Sequence, residues 1–484
     1  MFTGIDIGGT NTDIAVIRND DIETEKISNE KGISMALSKL HSGGKIAIST
    51  SQPLNRLMVS PGREVCIVTI PGPGLKREGA VKGAVTIRGD VAEDIDPDEI
   101  RRIFEQTDAE YLAVSGKFST RNPFLEEKVH EIALEYFCED KIALSHHIGE
   151  IGFPSRIATT AINSHLREIT SGVAEIIRSY IPGGDFFFMK GDGGLVSPDM
   201  ISCNPSELYS SSQAAVALGA RYLTGIEDAL VMDIGGTTTD FIPMKDGLPE
   251  RDAVNIGGRR TDIRGIRALS LPFGGDSVVE EGLLPFREGV SLAFGGKSRT
   301  FTDALNVCGY EIGNYEASGV IERDIAEIAL SKYLDEVSRA ISTFSPGMII
   351  GTGYLAPDLM PEFSAMTGIS VYVPGHAESA NAVGVAVSRV SLTMKVHYDS
   401  EKERLSINGE LRHPKKRFTD EELIEECIAE LRATALSLGS PPEDCEDIEI
   451  LGFRAYDVIR ERARTGRIVD LQIAIPPGIS AEAP

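Results

Sequence analysis

Apolar and polar positions follow two rhythms along this chain. Residues 2–17 read as strand, Gly-rich turn, strand (FTGIDIGG, then TDIAVIRND), and residues 229–244 repeat that plan (ALVMDIGG, then TDFIPMKDG). Between the two repeats, the compact apolar runs KIAIST (45–50), EVCIVTI (64–70), YLAVSG (111–116) and IALSHHI (142–148) predict short buried strands. In the last of these, alternation would send His146 and His147 to opposite sides. Helical spacing marks FLEEKVHEIALEYF after Asn122-Pro123, and a long helix from Ile157 to Tyr180 that Pro182-Gly183-Gly184 stops. A buried strand running into a Gly-rich turn follows in FFFMKGDGGLVS, then a small-residue helix at 213–223 that leads into the second repeat. Beyond it come a helix at 324–341, the strand MIIGTGYL and a helix at 379–390. Strand–helix alternation of this kind predicts α/β layers.

A chain of 484 residues exceeds what one hydrophobic core serves, so two or more domains are expected. Hydrophobic residues make up 42% and charged residues 25%, ordinary for a globular protein. The balance of 48 basic to 73 acidic residues gives a formal charge of −25, which repels phosphate backbones and anionic lipid and argues against nucleic-acid or membrane partners. A polyanion must then be met by a local device of backbone N–H groups and a divalent cation. The six cysteines show no C-x-x-C pair and read as reduced thiols. With no basic-then-apolar leader and no membrane-length apolar run, the expectation is a cytoplasmic protein.

The two repeats share an octapeptide. Asp6-Ile7-Gly8-Gly9-Thr10-Asn11-Thr12-Asp13 and Asp233-Ile234-Gly235-Gly236-Thr237-Thr238-Thr239-Asp240 agree at seven of eight positions. Their separation is too long for a solenoid repeat and fits two domains carrying one motif at the same structural place. An Asp at a strand end offers a carboxylate for a metal, and Gly-Gly allows close backbone approach and positive φ. The threonines add hydroxyl donors for phosphate oxygens. One copy alone is matched equally well by a tight hairpin in which the glycines serve only the turn.

Paired hairpins of this type, followed by a strand ending in Gly351-Thr352-Gly353, resemble the phosphate 1, phosphate 2 and adenosine motifs of the actin, hexokinase and heat-shock ATPase superfamily. Within it, the sequence is similar to the hydantoinase A/5-oxoprolinase family at GIDIGGTNTD, FSTRNPFLEEKVHEIA, LSHHIGEIGFPSRIATTAINSHL, MKGDGGLVS, ALVMDIGGTTTDF, FTDALNVCG and GHAESANAVGVAVSRV. The family's usual Ser-Gly-Pro-Ala before the second motif is replaced by Ser210-Ser211-Ser212-Gln213. The resemblance implies an α/β, duplicated ribonuclease H-like (actin-like ATPase) fold of two lobes with a nucleotide cleft. Expected divisions are an N-terminal lobe at 1–155, a second lobe at 156–392 and a C-terminal α/β extension at 393–484.

Family members couple ATP hydrolysis to attack on a stable carbonyl. The resemblance therefore implies an ATP-dependent hydrolase that opens a lactam or hydantoin by phosphorylating its carbonyl oxygen. Asp6 and Asp233 are the catalytic candidates. Gly8, Gly9, Thr10, Asn11, Gly235, Gly236, Thr237, Thr238, Gly351, Thr352 and Gly353 are the nucleotide-binding ones. Mg²⁺ is expected on Asp6, Asp233 and Asp240, although Asp240 serves equally well as a turn carboxylate. Asp192-Gly193-Gly194 is a further candidate for lining the substrate site, and Arg259 or Arg260 for clamping a substrate carboxylate. Partners implied are ATP, a small cyclic amide or related carbonyl compound, a second hydantoinase-type subunit and further copies of the chain. Two other classes stay open, a sugar-type small-molecule kinase of the same fold and a nucleotide-gated binding protein without chemistry.

Overall fold

The computed structural model describes residues 1–9, 11–19, 21–29, 33–38, 44–50, 64–77 and 79–484. Its architecture is α/β and two-lobed, and each lobe is built round one of the repeats. In the first, Phe2–Ile7, Asn11–Arg18 and Asp21–Ser28 form an antiparallel meander. Lys45–Thr50 and Phe186–Met189 extend it in parallel beyond Phe2–Ile7, and Leu195–Val196 closes the edge. All six residues of Phe2–Ile7 are buried, as a strand covered on both faces requires.

The second lobe repeats this order. Ala229–Ile234 pairs antiparallel with Thr239–Lys245 on one side and parallel with Met348–Thr352 on the other, followed by Ser370–Tyr372. The strands Phe186–Met189 and Leu195–Val196, expected beyond a boundary at 155/156, are instead hydrogen-bonded into the first sheet. The chain leaves that sheet after Lys45–Thr50, builds a separate unit, and returns.

That unit is a three-stranded parallel sheet of Val65–Ile70, Tyr111–Gly116 and Ile142–Leu144, packed by helices Pro97–Gln106 and Phe124–Ala133. The helix expected through Phe137 ends at Ala133 because the chain tightens there, bringing Tyr136 and Phe137 onto the Phe104 ring at 5.5 and 5.3 Å. The long helix is Phe153–Tyr180, with Pro154 in its first turn, where a missing N–H costs nothing. It packs on Tyr111–Gly116 and, through Ala174 and Ile177, on the first lobe's core.

Two helices join the lobes crosswise. Ser211–Thr224 follows the first sheet yet packs on Val231, Ile242 and Ile350 of the second. Ala380–Val387 follows the second sheet yet packs on Phe2, Ala15 and Ile17 of the first. They touch backbone to backbone. A Cβ at Gly384 would stand 1.9 Å from the Ala215 carbonyl oxygen, and one at Gly219 would stand 1.8 Å from that of Ala380. Gly4 is under the same constraint, with the Ala382 oxygen 2.1 Å from where its Cβ would be.

The C-terminal extension is a five-stranded antiparallel sheet in the order Glu410–Arg412, Arg404–Ile407, Leu392–Asp399, Ala463–Ile475, Glu449–Arg460. Helix Asp420–Ser437 covers one face, opened by a Thr419/Glu422 capping box. All six cysteines are unpaired, and no helix among the described residues is long and apolar enough to cross a membrane.

Candidate functional site

In the first hairpin the register sets Asp6 opposite Asp13 on one neighbour and opposite Ser49 on the other, so three polar side chains share one face. Asp6 Oδ1 accepts from the Ser49 hydroxyl and, at 3.1 Å, from Ser212 at the start of the lobe-crossing helix. Its Oδ2 accepts from Asn381 Nδ2 at 2.8 Å, and the same amide reaches Asp13 Oδ2 at 2.9 Å. The turn is closed by Gly8 N–H donating to Asn11 O at 3.0 Å. Asn29 braces it by donating to Gly8 O at 2.9 Å while accepting from Thr12 at 2.8 Å. Thr10 lies outside the described residues.

The second hairpin repeats the register with Asp233 opposite Asp240 and Thr352. Gly235 N–H donates to Thr238 O at 3.0 Å, the counterpart of the Gly8 bond. Thr352 Oγ1 donates to Asp233 Oδ1 at 2.8 Å, as Ser49 does to Asp6. Asp240 is occupied by Ser270 and by Thr238 at 3.3 Å, which favours the turn-carboxylate role for it. Asp276 N–H docks the 274–276 loop on Gly236 O at 2.6 Å. Positive φ was the sequence expectation for the four hairpin glycines, yet none of Gly8, Gly9, Gly235 or Gly236 takes it. Space is what Gly236 supplies, since a Cβ there would stand 2.8 Å from an Asp276 carboxylate oxygen.

The two aspartates are related by the repeat but differ electrostatically. Three side-chain donors oppose the effect of burial on Asp6, whose pKa is still raised, burial first and Asp13 also contributing. Asp233 keeps one side-chain hydrogen bond; burial, then the charge of Asp240, pushes it up to about 6, against Thr352 and Lys26. Lys26 and Asp13 belong to the first lobe, and their charges reach Asp233 in the second, the former lowering and the latter raising its pKa. Lys26 Nζ lies 3.2 Å from Asp13 Oδ1 and 3.4 Å from the Glu378 carbonyl oxygen, and its charge also reaches Asp276.

The strand-end triplet closes the second lobe's side. Gly351, Thr352 and Gly353 are buried, and the room freed by the two glycines is filled by Met360 and by the Ile234 backbone, 2.5 and 2.3 Å from the ideal Cβ positions. Gly353 N–H donates to Ala377 O at 2.8 Å, tying the triplet to the loop that launches helix Ala380–Val387.

Other candidates fall elsewhere. Asp192 accepts from Gly194 N–H at 2.8 Å, Lys190 at 3.1 Å and Ser391 at 3.2 Å, which makes it the hub of its own turn. Arg259 and Arg260 stand exposed on a two-stranded ribbon, Arg251–Ile256 with Arg259–Ile266. The expected strand through His146 and His147 stops at Leu144, and a 3₁₀ turn follows. Buried Glu126 imposes that turn by accepting from Ser145 Oγ, His146 N–H and His146 Nδ1 at 2.5, 3.0 and 2.8 Å. Among the described residues no group of three His, Cys, Asp or Glu side chains is placed to hold a metal by itself. Sequence reasoning missed Ser49, Ser212, Asn381, Lys26 and Asn29. Two carried a signal, Asn381 in the family-like SANAVG and Ser212 in the segment that departs from the family's Ser-Gly-Pro-Ala.

Residues 155–350 match the family described as Hydantoinase/oxoprolinase, so the likeness read from the motifs is shown for that segment. No curated protein sequence matches the chain. Among solved structures, it is similar to a nucleotide-free acetone carboxylase, described as ATP-dependent, at 17% identity, 99% of this chain, 87% of that one and TM-score 0.69. It is similar also to an ATP-dependent caprolactamase from Pseudomonas jessenii, at 16% identity, 100% of this chain, 88% of that one and TM-score 0.64. At such identities the likeness carries the two-lobed fold.

Proposed function

We propose that this chain is an ATP-dependent hydrolase of the hydantoinase/oxoprolinase type that opens a cyclic amide by activating its carbonyl oxygen. The observation that carries the reading is the pair of equivalent hairpins, each setting an aspartate and a Gly-Gly turn at the same place of its lobe, with Lys26 of the first lobe acting on Asp233 of the second. The match over residues 155–350 and the caprolactamase likeness support the reaction class.

An amide nitrogen is a poor leaving group and its carbon a poor electrophile. Phosphoryl transfer from ATP to the amide oxygen, with ADP leaving, corrects the second fault. One water then attacks the carbon and the protonated ring nitrogen departs as the amine. A second water cleaves the resulting acyl phosphate to phosphate and the ring-opened acid. We assign the phosphates to the backbone and hydroxyls of Gly8, Gly9, Thr10, Asn11, Gly235, Gly236, Thr237 and Thr238, with Lys26 as the cation between them. The Gly351–Gly353 turn would floor the adenosine. Asp233, lifted to about 6, is poised to accept a proton near neutral pH. Asp6, already bound by three donors, fits a positioning role.

The Asp233–Asp240 pair fits a divalent cation, since two neighbouring carboxylates raise each other's cost of ionisation and a cation would relieve it. Such an ion, Mg²⁺ by expectation, would be shared with the phosphates and would offset their charge. We place the lobe division at helix Ser211–Thr224 and retain 393–484 as the extension. A second hydantoinase-type subunit and self-association belong to the same proposal.

The test is phosphate release from ATP by the purified chain, alone and with a panel of lactams and hydantoins. Stimulation by one of them, lost in Asp233→Asn, supports the reading. Flat turnover across the panel despite bound nucleotide sinks it, and a stable phosphorylated product in the mass spectrum points instead to a kinase.

A further inference from the structure

The loop docked on the second hairpin brings an ion pair to the Gly-Gly turn. The N–H groups of Gly275 and Asp276 donate to the Gly235 and Gly236 carbonyl oxygens at 3.0 and 2.6 Å, which fixes residues 274–276 against that turn. Thr302 ties the loop down, donating to Gly275 O through both its N–H and its hydroxyl at 2.9 Å. The fit leaves no slack. An ideal Cβ on Gly275 would stand 1.5 Å from the Tyr354 hydroxyl oxygen, and one on Gly274 would stand 2.6 Å from the Gly235 and Gly236 oxygens.

Asp276 Oδ2 lies 2.8 Å from where a Cβ of Gly236 would be, and the same oxygen accepts from Arg287 Nε at 3.0 Å. Those two distances put the guanidinium beside Gly236. Backbone register delivers it there, because Arg287 ends the strand Leu283–Arg287 and pairs with Ser277, the residue after Asp276. Burial raises the Asp276 pKa, and Arg287 is the leading influence against it. The Lys26 charge of the first lobe reaches Asp276 as it reaches Asp233.

A carboxylate alone at this place would repel a polyphosphate. Its arginine reverses that effect. Asp276 engages only Nε, and neither Nη has a hydrogen bond or ion pair among the described residues. The Arg287 side chain keeps 26% of its surface exposed, so a planar pair of donors stands ready for two phosphate oxygens. Lys26, already 3.2 Å from Asp13 Oδ1, is a point charge and offers no such fork.

We propose that Arg287 is a phosphate-binding residue of the second hairpin, whose Nη edge, left free by the Asp276 pair, meets the polyphosphate of the bound nucleotide. This contact rests on the nucleotide reading of the hairpins given above.

Calorimetric titration of the full chain with ADP tests it. Arg287→Gln should weaken ADP about 10-fold and make the fall of affinity with added salt shallower, as loss of a charged phosphate contact requires. Arg287→Lys keeps the ion pair with Asp276, and with it the loop, but not the planar fork, so it should weaken ADP about 3-fold. Unchanged ADP affinity in Arg287→Gln overturns the proposal, and so does a fall that leaves the salt dependence as steep as before. Should the glutamine variant unfold, the lysine variant decides by the same titration, and unaltered affinity there overturns the proposal. Failure of the unsubstituted chain to bind ADP would sink the nucleotide reading and this contact with it. ADP binding that neither substitution touches would sink the Arg287 contact alone.

Discussion

The side-chain amide of Asn381 stands 2.8 Å from Asp6 Oδ2, although 375 positions separate them in the chain. The helix that carries Asn381 follows the second lobe, whereas Asp6 ends the first strand of the first. Their contact makes the geometry of the first hairpin depend on how the lobes are joined. The amide also reaches Asp13, so one Nδ2 group bridges two carboxylates that the strand register forces together.

Removing that bridge should therefore act on stability and binding at once. Asn381→Ala is expected to cost about 1–3 kcal/mol in urea unfolding, because two buried acceptors lose their donor. ADP affinity should fall about 10-fold by calorimetry, and Asn381→Asp should do worse by adding a third negative charge. An alanine variant silent in both measurements would show that the bridge is incidental.

Asp233 gives a pH signature. Its folded value of about 6 lies above the ordinary 3.8, so the neutral carboxyl suits the fold better than the ion. Its contribution is therefore fully present below the ordinary value and is lost as pH rises toward the folded one. Thermal unfolding of the ligand-free chain from acid to neutral pH should show this decline, and Asp233→Asn should flatten it and raise Tm at neutral pH. The same variant should lose about 100-fold or more of ATP turnover, as removal of a catalytic group does.

Lys26 tunes that group from the other lobe. Lys26→Met should raise KM for ATP and shift the acid limb of the turnover profile to higher pH, since the cation that favours ionised Asp233 is gone. An unmoved acid limb would mean that Asp233 is not the titrating group.

Glu126 behaves in the opposite sense. Despite full burial, hydrogen bonding and the charge of His146 lead the effects that hold it at about 2, below the ordinary 4.5. Its stabilisation is present above the ordinary value and is lost as pH falls toward the folded one. Glu126→Ala should cost about 3–5 kcal/mol at neutral pH, because Arg156 and the Ser145–His146 turn lose their anion.

The helix crossing has a steric test. Gly384→Val places side-chain atoms where the Ala215 carbonyl oxygen stands 1.9 Å from an ideal Cβ, so the two helices cannot dock. A loss of several kcal/mol is expected, comparable to severe overpacking of a core at about 1–3 kcal/mol or more. Gly375→Ala has open space within 4 Å of its Cβ and should be near neutral in the same assay.

The hairpins were legible because their signal is local. A strand-end Asp, two glycines and a returning Thr-x-Asp occupy eight consecutive positions, and the repeat supplies its own control. Strands such as Tyr111–Gly116 were equally plain, since a short apolar run admits few alternatives. The His146–His147 segment misled for a physical reason. Its apolar pattern suits a strand, but the Glu126 carboxylate captures its N–H and hydroxyl groups from another helix, which no local pattern encodes.

By itself the sequence determined the α/β class, the duplication and the chemistry available at each strand end, because residue type and short-range spacing carry those. Only the tertiary structure decided that Asp6 is saturated while Asp233 is not, that the Lys26 charge of the first lobe reaches Asp233 in the second, and that strands at 186–196 return to the first sheet. Those properties arise where segments far apart in sequence pack together. Burial and neighbouring charge, which make two equivalent aspartates differ, exist only once the lobes have closed on each other.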